Sequence, residues 1–342
     1  MCLKKYLRGR CSRVKKKWMA TLCLVCAMGL AGCLGKSEKE QALEKKVTEL
    51  EQQIEEIQKS VTYEEYTQEV VNIVDPTTLE IIHTLSPQDL GYEEDSETYK
   101  KHIEQLAKEL ARGNEKESGY DKRMVLDRVD ENGQIIKGSP MTLLKESELV
   151  EKILAASGTG GNVEMPLYVT ESGYSFEDIP HLEEVVVASY TTYFNSADTG
   201  RNKNIELSAQ AINNVIVGSG DQFSFNTVVG PRDEVNGYQP APEIINQKVV
   251  MGIGGGICQT SSTLFNAVDQ IPIKFVERHH HSLDIGYVPK GRDATVSYGG
   301  LDFRFQNTSD VPFLIQAIYE KNALTVEVRT AEKYVEMLKK SP

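Results

Sequence analysis

The sequence predicts an α+β protein with three parts: an N-terminal coiled-coil or stalk helix, a small α+β module, and a C-terminal mixed α/β domain whose second half is rich in strands. Three observations predict it. Apolar residues step by 4, 3, 4, 3 and 4 through a charged stretch from Leu43 to Val61. Between about residues 86 and 183, helical and strand-like runs alternate, separated by turn residues. From Val185 onward, strand-like runs surround one glycine-rich turn that opens a helix, Gly252-Ile253-Gly254-Gly255-Gly256-Ile257-Cys258-Gln259. The segments are then 1–32, a leader; 33–62, anchor and stalk; 63–184, the module; 185–330, the C-terminal domain; and 331–342, a tail.

The leader begins with eight basic residues and no acidic one, from Lys4 to Lys17, followed by the apolar run Trp18 to Ala31. That run is too short to span a bilayer and ends in small residues, as a secretory signal does. Leu30-Ala31-Gly32-Cys33 resembles the lipobox of bacterial lipoproteins, in which the cysteine is lipidated and becomes the first residue after cleavage. An uncut signal anchor is the alternative. Five of the six cysteines (Cys2, Cys11, Cys23, Cys26 and Cys33) lie in the first 33 residues. Cleavage therefore leaves Cys258 as the single free thiol and no internal disulfide. Loss of the eight positive charges takes the formal charge from -12 to about -20. Such a chain repels nucleic acid and anionic headgroups, so membrane attachment has to come from the lipid on Cys33.

The seam Leu43, Val47, Leu50, Ile54, Ile57, Val61 predicts a helix over 36–62. It serves as a homodimer contact over 43–61 or as a plain spacer off the membrane. In the module, Tyr99, Ile103, Leu106 and Leu110 give a helix over 97–111, ended by Gly113-Asn114. Val125 to Val129 reads as a strand, Glu131-Asn132-Gly133 as a turn, 143–156 as a helix and 163–169 as a strand. This layout, with Asp130-Glu131-Asn132-Gly133 and Glu164-Met165-Pro166-Leu167, resembles a peptidoglycan-binding type of module found before wall-modifying catalytic domains in Gram-positive bacteria. A spacer without a ligand is the alternative.

In the C-terminal domain, 185–194 reads as a strand and 206–215 as a short helix. Residues 301–307 and 312–319 read as two arms of a hairpin, and 324–329 as a closing strand. Ile257, Ser261, Leu264 and Val268 put one buried face on the helix after the glycines, with Pro272 beyond its end. Cys258 thus sits at a helix N-terminus, where unpaired N–H groups and the helix dipole favour an anion. A thiolate is such an anion, and the same amides can hold the oxyanion of a tetrahedral intermediate. A buried, inert cysteine beside a tight turn fits the pattern equally well. Zinc does not suit His279-His280-His281, because adjacent residues of a strand point to opposite faces and no companion cysteine is near. No metal and no cofactor are expected.

Several motifs occur in order over 185–330: Arg201-Asn202-Lys203-Asn204-Ile205, Phe223-Ser224-Phe225-Asn226, the glycine-cysteine stretch to Ala267, His281-Ser282, Asp293-Ala294-Thr295-Val296 and Asp302-Phe303. With these motifs the domain resembles the VanW family, named for a protein of some vancomycin-resistance gene clusters. The resemblance implies L,D-transpeptidase activity on peptidoglycan stem peptides, with Cys258 as nucleophile and 3-3 cross-links as product. His281 is the expected base, since an imidazole titrates near neutrality. Asp293 or Asp302 would orient it. The amides of Gln259 and of a glycine, Gly256, are expected to form the oxyanion hole. Arg232 would grip a stem carboxylate bidentately, with Asn226 and Ser261 as further substrate contacts. Two rivals stand beside this reading: a non-catalytic binder of wall stems, and a cysteine carboxypeptidase or hydrolase. The expected location is the outer face of the cell membrane, held by lipid.

Overall fold

A computed structural model describes residues 38–60, 69–245 and 248–339. The leader, the lipobox Cys33 and seam residue Val61 lie outside the described residues. The chain divides into two units, 1–67 and 68–342. In the first, α1 (Glu38–Ser60) is a single helix. Its seam residues Leu43, Val47, Leu50 and Ile54 are all exposed. Among the described residues no helix is long and apolar enough to cross a membrane.

The second unit is mixed α+β. Its N-terminal part is a sheet of β1 (Val71–Val74), β2 (Ile81–Leu85) and β6 (Gly161–Glu164), with β1 central, antiparallel to β2 and parallel to β6. Two helices, α2 (Ser96–Arg112) and α3 (Glu146–Ala156), share a core with it. α2 forms where its spacing requires, burying Tyr99, Ile103, Ala107 and Ala111 on one stripe. Asp95 caps it by accepting the Thr98 N–H at 3.1 Å. α3 starts three residues later than its apolar run. Met141–Leu144 instead forms β5, paired antiparallel with β7 (Leu167–Thr170). The single strand expected over 163–169 is divided at Pro166, which has no N–H to give to a ladder, and its halves join different sheets.

The main sheet has six strands in the order β4-β3-β9-β15-β16-β8. Its members are β3 (Arg128–Val129), β4 (Ile135–Ile136), β8 (Val185–Tyr193), β9 (Val215–Val217), β15 (Phe313–Tyr319) and β16 (Ala323–Thr330). Two of its strands thus come from the segment assigned to the small module, and Met124 and Leu126 lie in the same core as Phe223, Phe265 and Phe305. The boundary drawn at 184/185 therefore runs through a shared sheet and core. In β16, Leu324, Val326 and Val328 are buried at period two. A second sheet joins β10 (Gln222–Ser224), β14 (Arg304–Asn307) and β13 (Ile273–Glu277). The hairpin expected from 301–307 and 312–319 is not formed. β14 pairs with β10 and β13, whereas β15 pairs with β9 and β16.

Helix α4 (Thr199–Ile212) begins seven residues before its expected start. Its first turns bury asparagines: Asn204 donates to the carbonyls of Gln239 and Gly255, each at 2.9 Å, and Asn202 to that of Asn195 at 2.9 Å. A buried polar face gives no hydrophobic period. A short helix, α5 (Phe225–Val229), follows β10. The pair β11 (Pro240–Ile245) and β12 (Lys248–Ile253) then forms a separate two-stranded ribbon that leads directly into the glycine turn.

Candidate functional site

α6 (Ile257–Val268) is buried on all sides, and one apolar stripe does not describe it. Its hydroxyls and amide are satisfied partly within the helix: Ser262 donates to the Cys258 carbonyl, Thr263 to that of Gln259 and Asn266 to that of Ser262, each at 2.7 Å. The rest of this polar surface grips the segment 292–296. Ser262 accepts the Ala294 N–H at 2.9 Å, Ser261 donates to the Ala294 carbonyl at 2.5 Å, and Asn266 donates to that of Arg292 at 2.8 Å. The helix that carries Cys258 is thereby fastened on both sides of Asp293.

The glycines before α6 make room for specific neighbours. Gly256 takes φ +106°, a conformation that side chains disfavour, and a Cβ there would stand 2.7 Å from Arg201 Cγ. A Cβ at Gly252 would overlap the Glu243 carboxyl at 1.8 Å, and one at Gly254 would press on the Arg232 stem at 3.2 Å. Arg201, Arg232 and Glu243, together with Cys258, His281 and Tyr287, line a cavity of about 680 Å³.

Cys258 is partly buried, and its thiol donates to the Val296 carbonyl at 3.5 Å. Burial pushes the thiol up from its ordinary value, opposed by the Arg232 cation. This direction is opposite to the one expected for a thiol at a helix terminus, and desolvation is its first cause. In the first turn the Ile257 N–H bonds the Gly254 carbonyl at 3.2 Å and the Gln259 N–H that of Gly256 at 2.9 Å. The Cys258 N–H between them has no acceptor among the described residues. The open amides in this turn thus include those of Gly256 and Cys258, whereas that of Gln259 is taken.

His281 Nδ1 lies 2.7 Å from Asp293 Oδ2, and its backbone N–H donates to the same oxygen at 2.7 Å. His280 Nδ1 takes the other oxygen at 2.8 Å. The side chains of His281 and Asp293 are only 8% and 7% exposed. Burial alone would raise the Asp293 carboxyl, but the bonds from His280 and His281 hold it down at about 2. An ionised Asp293 accepts hydrogen from His281 Nδ1, so in the neutral ring the lone pair lies on Nε2. Residues 278–281 follow the end of β13 and are not a strand, so both adjacent rings reach one carboxylate. Asp302, the other acid considered, is bonded elsewhere: it accepts from Ser224 at 2.6 Å, Arg123 at 3.0 Å and the Asn226 N–H at 2.9 Å.

Arg232 does not pair with its neighbours Asp233 and Glu234. Its Nη1 donates to Asn226 Oδ1 at 2.8 Å, and its guanidinium lies over the rings of Phe225 and Tyr298. Asn226 in turn donates to the carbonyls of Ser297 at 2.9 Å and Leu301 at 3.0 Å, so its side chain is fully engaged in holding Arg232. Ser261 and Gln259 are fully buried inside the fold and do not reach the cavity. The Gln259 side chain accepts from Arg201 at 2.7 Å and donates to Thr192 and to the Tyr193 carbonyl. Of the residues expected from sequence, Cys258, Gly256, His281 and Arg232 meet at the cavity, with Asp293 and Asn226 directly behind. Arg201, Glu243 and Tyr287 were not foreseen as site residues. Arg201 stood in a quoted motif, whereas Glu243 and Tyr287 carried no signal. Among the described residues no group of three His, Cys, Asp or Glu side chains is placed to hold a metal ion.

The profile of the family described as "VanW like protein" matches residues 200–329, which span Arg201 to Arg329 and hence every cavity residue named above. The protein YoaR of Bacillus subtilis is 38% identical over 250 residues, covering 72% of this chain and 79% of that protein. The vancomycin B-type resistance protein VanW of Enterococcus faecalis is 31% identical over 117 residues, 33% of this chain and 42% of that protein. No solved structure matches.

Proposed function

The chain belongs to the VanW family, and from that premise we propose that it is a cell-wall-associated cysteine acyltransferase, an L,D-transpeptidase that forms 3-3 cross-links between peptidoglycan stems. The observation that carries the reading is one constellation: a cysteine on the first turn of a helix, an open amide at that turn, and a carboxylate-held histidine on the same cavity. Each has a task in acyl transfer.

In the proposed reaction, a tetrapeptide stem enters with the carbonyl of its third residue at Cys258. His281 Nε2 takes the thiol proton as sulfur attacks, which is needed because the resting thiol is neutral. Asp293 keeps the histidine in the correct tautomer and stabilises the cation that forms. The oxyanion points at the Cys258 N–H, at the positive end of α6. The carbon–nitrogen bond breaks, the leaving amine accepts the proton from His281, and a thioester remains. The amine of a second stem then attacks the thioester carbon, the carbon–sulfur bond breaks, and the proton returns to sulfur through His281. Lipid on Cys33 would hold the protein at the outer membrane face, and α1 would carry the catalytic unit toward the wall.

One observation favours a second reading. A neutral thiol bonded to a carbonyl also suits a stem-binding protein with no chemistry. Intact-mass analysis separates the two. Wild type mixed with a tetrapeptide stem should gain the mass of the tripeptide acyl group, and Cys258→Ala should not. Tight binding of the stem with no adduct at any pH from 6 to 9 would leave the binder as the function.

A further inference from the structure

Two imidazoles share one carboxylate in this site, and the proposed reaction uses only one of them. Asp293 Oδ2 takes the ring and the backbone N–H of His281, both at 2.7 Å, and Oδ1 takes His280 Nδ1 at 2.8 Å. The two rings differ in exposure. His281 and Asp293 are nearly closed off, whereas half of the His280 side chain meets solvent. The charged groups around this row are settled elsewhere. Arg292 pairs with Asp269 at 2.6 Å, and Arg278 donates to the backbone carbonyl of Asp293 at 3.3 Å. His279 faces Glu277 at 3.0 Å, and Glu277 also pairs with Arg304. From the cavity side, Cys258 and Tyr287 feel the Asp293 charge, and burial raises both, so they stay neutral at mildly acid pH. Arginines keep their charge throughout that range. As pH falls, the row His280–Asp293–His281 is therefore where protons are taken up, with His279 titrating on a partner of its own.

We infer that His280 is a positioning residue for His281: it takes the first proton on the shared carboxylate and so keeps His281 a neutral base as the pH falls. The inference rests on the reading of His281 as the base of acyl transfer. Charging a buried imidazole costs desolvation, and an exposed ring avoids most of that cost, so the first proton settles on His280. It adds at Nε2, because Nδ1 already carries the hydrogen given to Asp293. The hydrogen bond survives, and only the charge changes. With His280 charged, the negative charge of Asp293 is balanced, and a second cation on His281 meets a like charge across the same carboxylate. The two ring nitrogens lie within 2.8 Å of opposite oxygens, so the charges stand about 7 Å apart, and at a half-exposed site their repulsion is worth about one pH unit. His281 is then a slightly weaker base, but more of it is in the form that can accept the thiol proton.

Nuclear magnetic resonance of the full-length protein, with nitrogen-15 in its histidine rings, tests this without substrate. The chain has six histidines, so six ring signals are followed between about pH 4 and pH 9. Wild-type His281 should titrate in two steps, a small first one that coincides with the titration of His280 and a larger second one. In His280→Gln, which keeps a donor for Asp293 and cannot charge, His281 should titrate in one step with its midpoint about one pH unit above that second step. In His280→Lys, which carries a fixed charge, the midpoint should stay at the wild-type second step or below it. A residue that merely held Asp293 in place would leave the two variants alike. Equal His281 midpoints in wild type and His280→Gln, or in the two variants, overturn the inference. With a tetrapeptide donor, the acid limb of adduct formation should move up by about half a pH unit in His280→Gln, the gain in neutral His281 being partly offset by its weaker basicity. An acid limb that does not move overturns the role in acylation. If wild type forms no adduct at any pH while the titrations shift as stated, the transpeptidase reading fails and the shared charge stands.

Discussion

At Cys258, burial raises the thiol, and the proposed mechanism divides the labour accordingly. In that mechanism the thiol keeps its proton until substrate arrives, so reactivity would depend on His281, and His281 on Asp293. The Asp293 carboxyl moves from an ordinary 3.8 to about 2. A carboxylate depressed on folding contributes stability that is fully present above its unfolded value and is lost as pH falls through the folded value. The window is therefore pH 4 to 2, and the contribution is about 2 kcal/mol. Asp293→Asn should remove that acid limb from the unfolding profile. At neutral pH it should lower adduct formation by about 10³-fold or more, because Nδ1 can then face an N–H and the tautomer is no longer fixed. Unfolding curves between pH 2 and 7 and adduct rates check both. An Asp293→Asn protein with wild-type rate would remove Asp293 from the mechanism.

At the scale of elements, legibility followed the kind of burial. α2 and β16 were readable because they bury apolar side chains at helical and strand periods. α4 starts earlier than apolar spacing predicts because it buries Asn202 and Asn204, and α6 is buried beyond the one face its apolar spacing predicts because its hydroxyls meet backbone carbonyls. The position of Cys258 was legible from the glycines, but the neighbours those glycines admit were not. Glu243 and Arg232 are distant from Gly252 and Gly254 in sequence and meet them only through the ribbon and the α5 turn. The stalk is a different case. α1 exposes Leu43, Val47, Leu50 and Ile54, a seam that a second copy could cover. If α1 dimerises the protein, replacing Leu50 and Ile54 by Lys should convert a dimer to a monomer in sedimentation without loss of the second unit's cooperative unfolding. A wild-type protein already monomeric at high concentration would make α1 a spacer only.

Across the whole molecule, the small module and the family domain are one construction. β3 and β4 extend the main sheet, and Arg123 reaches Asp302 at 3.0 Å beside the turn that carries Asn226 and, through it, Arg232. No periodicity could show this, because the link is made by two two-residue strands, the buried Met124 and Leu126, and the Arg123–Asp302 ion pair. The proposed placement of the protein at the membrane rests on Cys33. Cys33→Ala should shift the protein from the detergent phase to the aqueous phase in phase partitioning. Unchanged partition after signal removal would exclude lipid as the anchor.

The central claim is that Cys258 performs acyl transfer to an amine. Mass analysis of disaccharide tetrapeptides incubated with the full-length protein tests it most directly. Wild type should yield a dimer joined between two third residues, with one terminal amino acid lost per cross-link, and Cys258→Ala should yield none. A 3-3 dimer formed by Cys258→Ala at the wild-type rate would contradict the account.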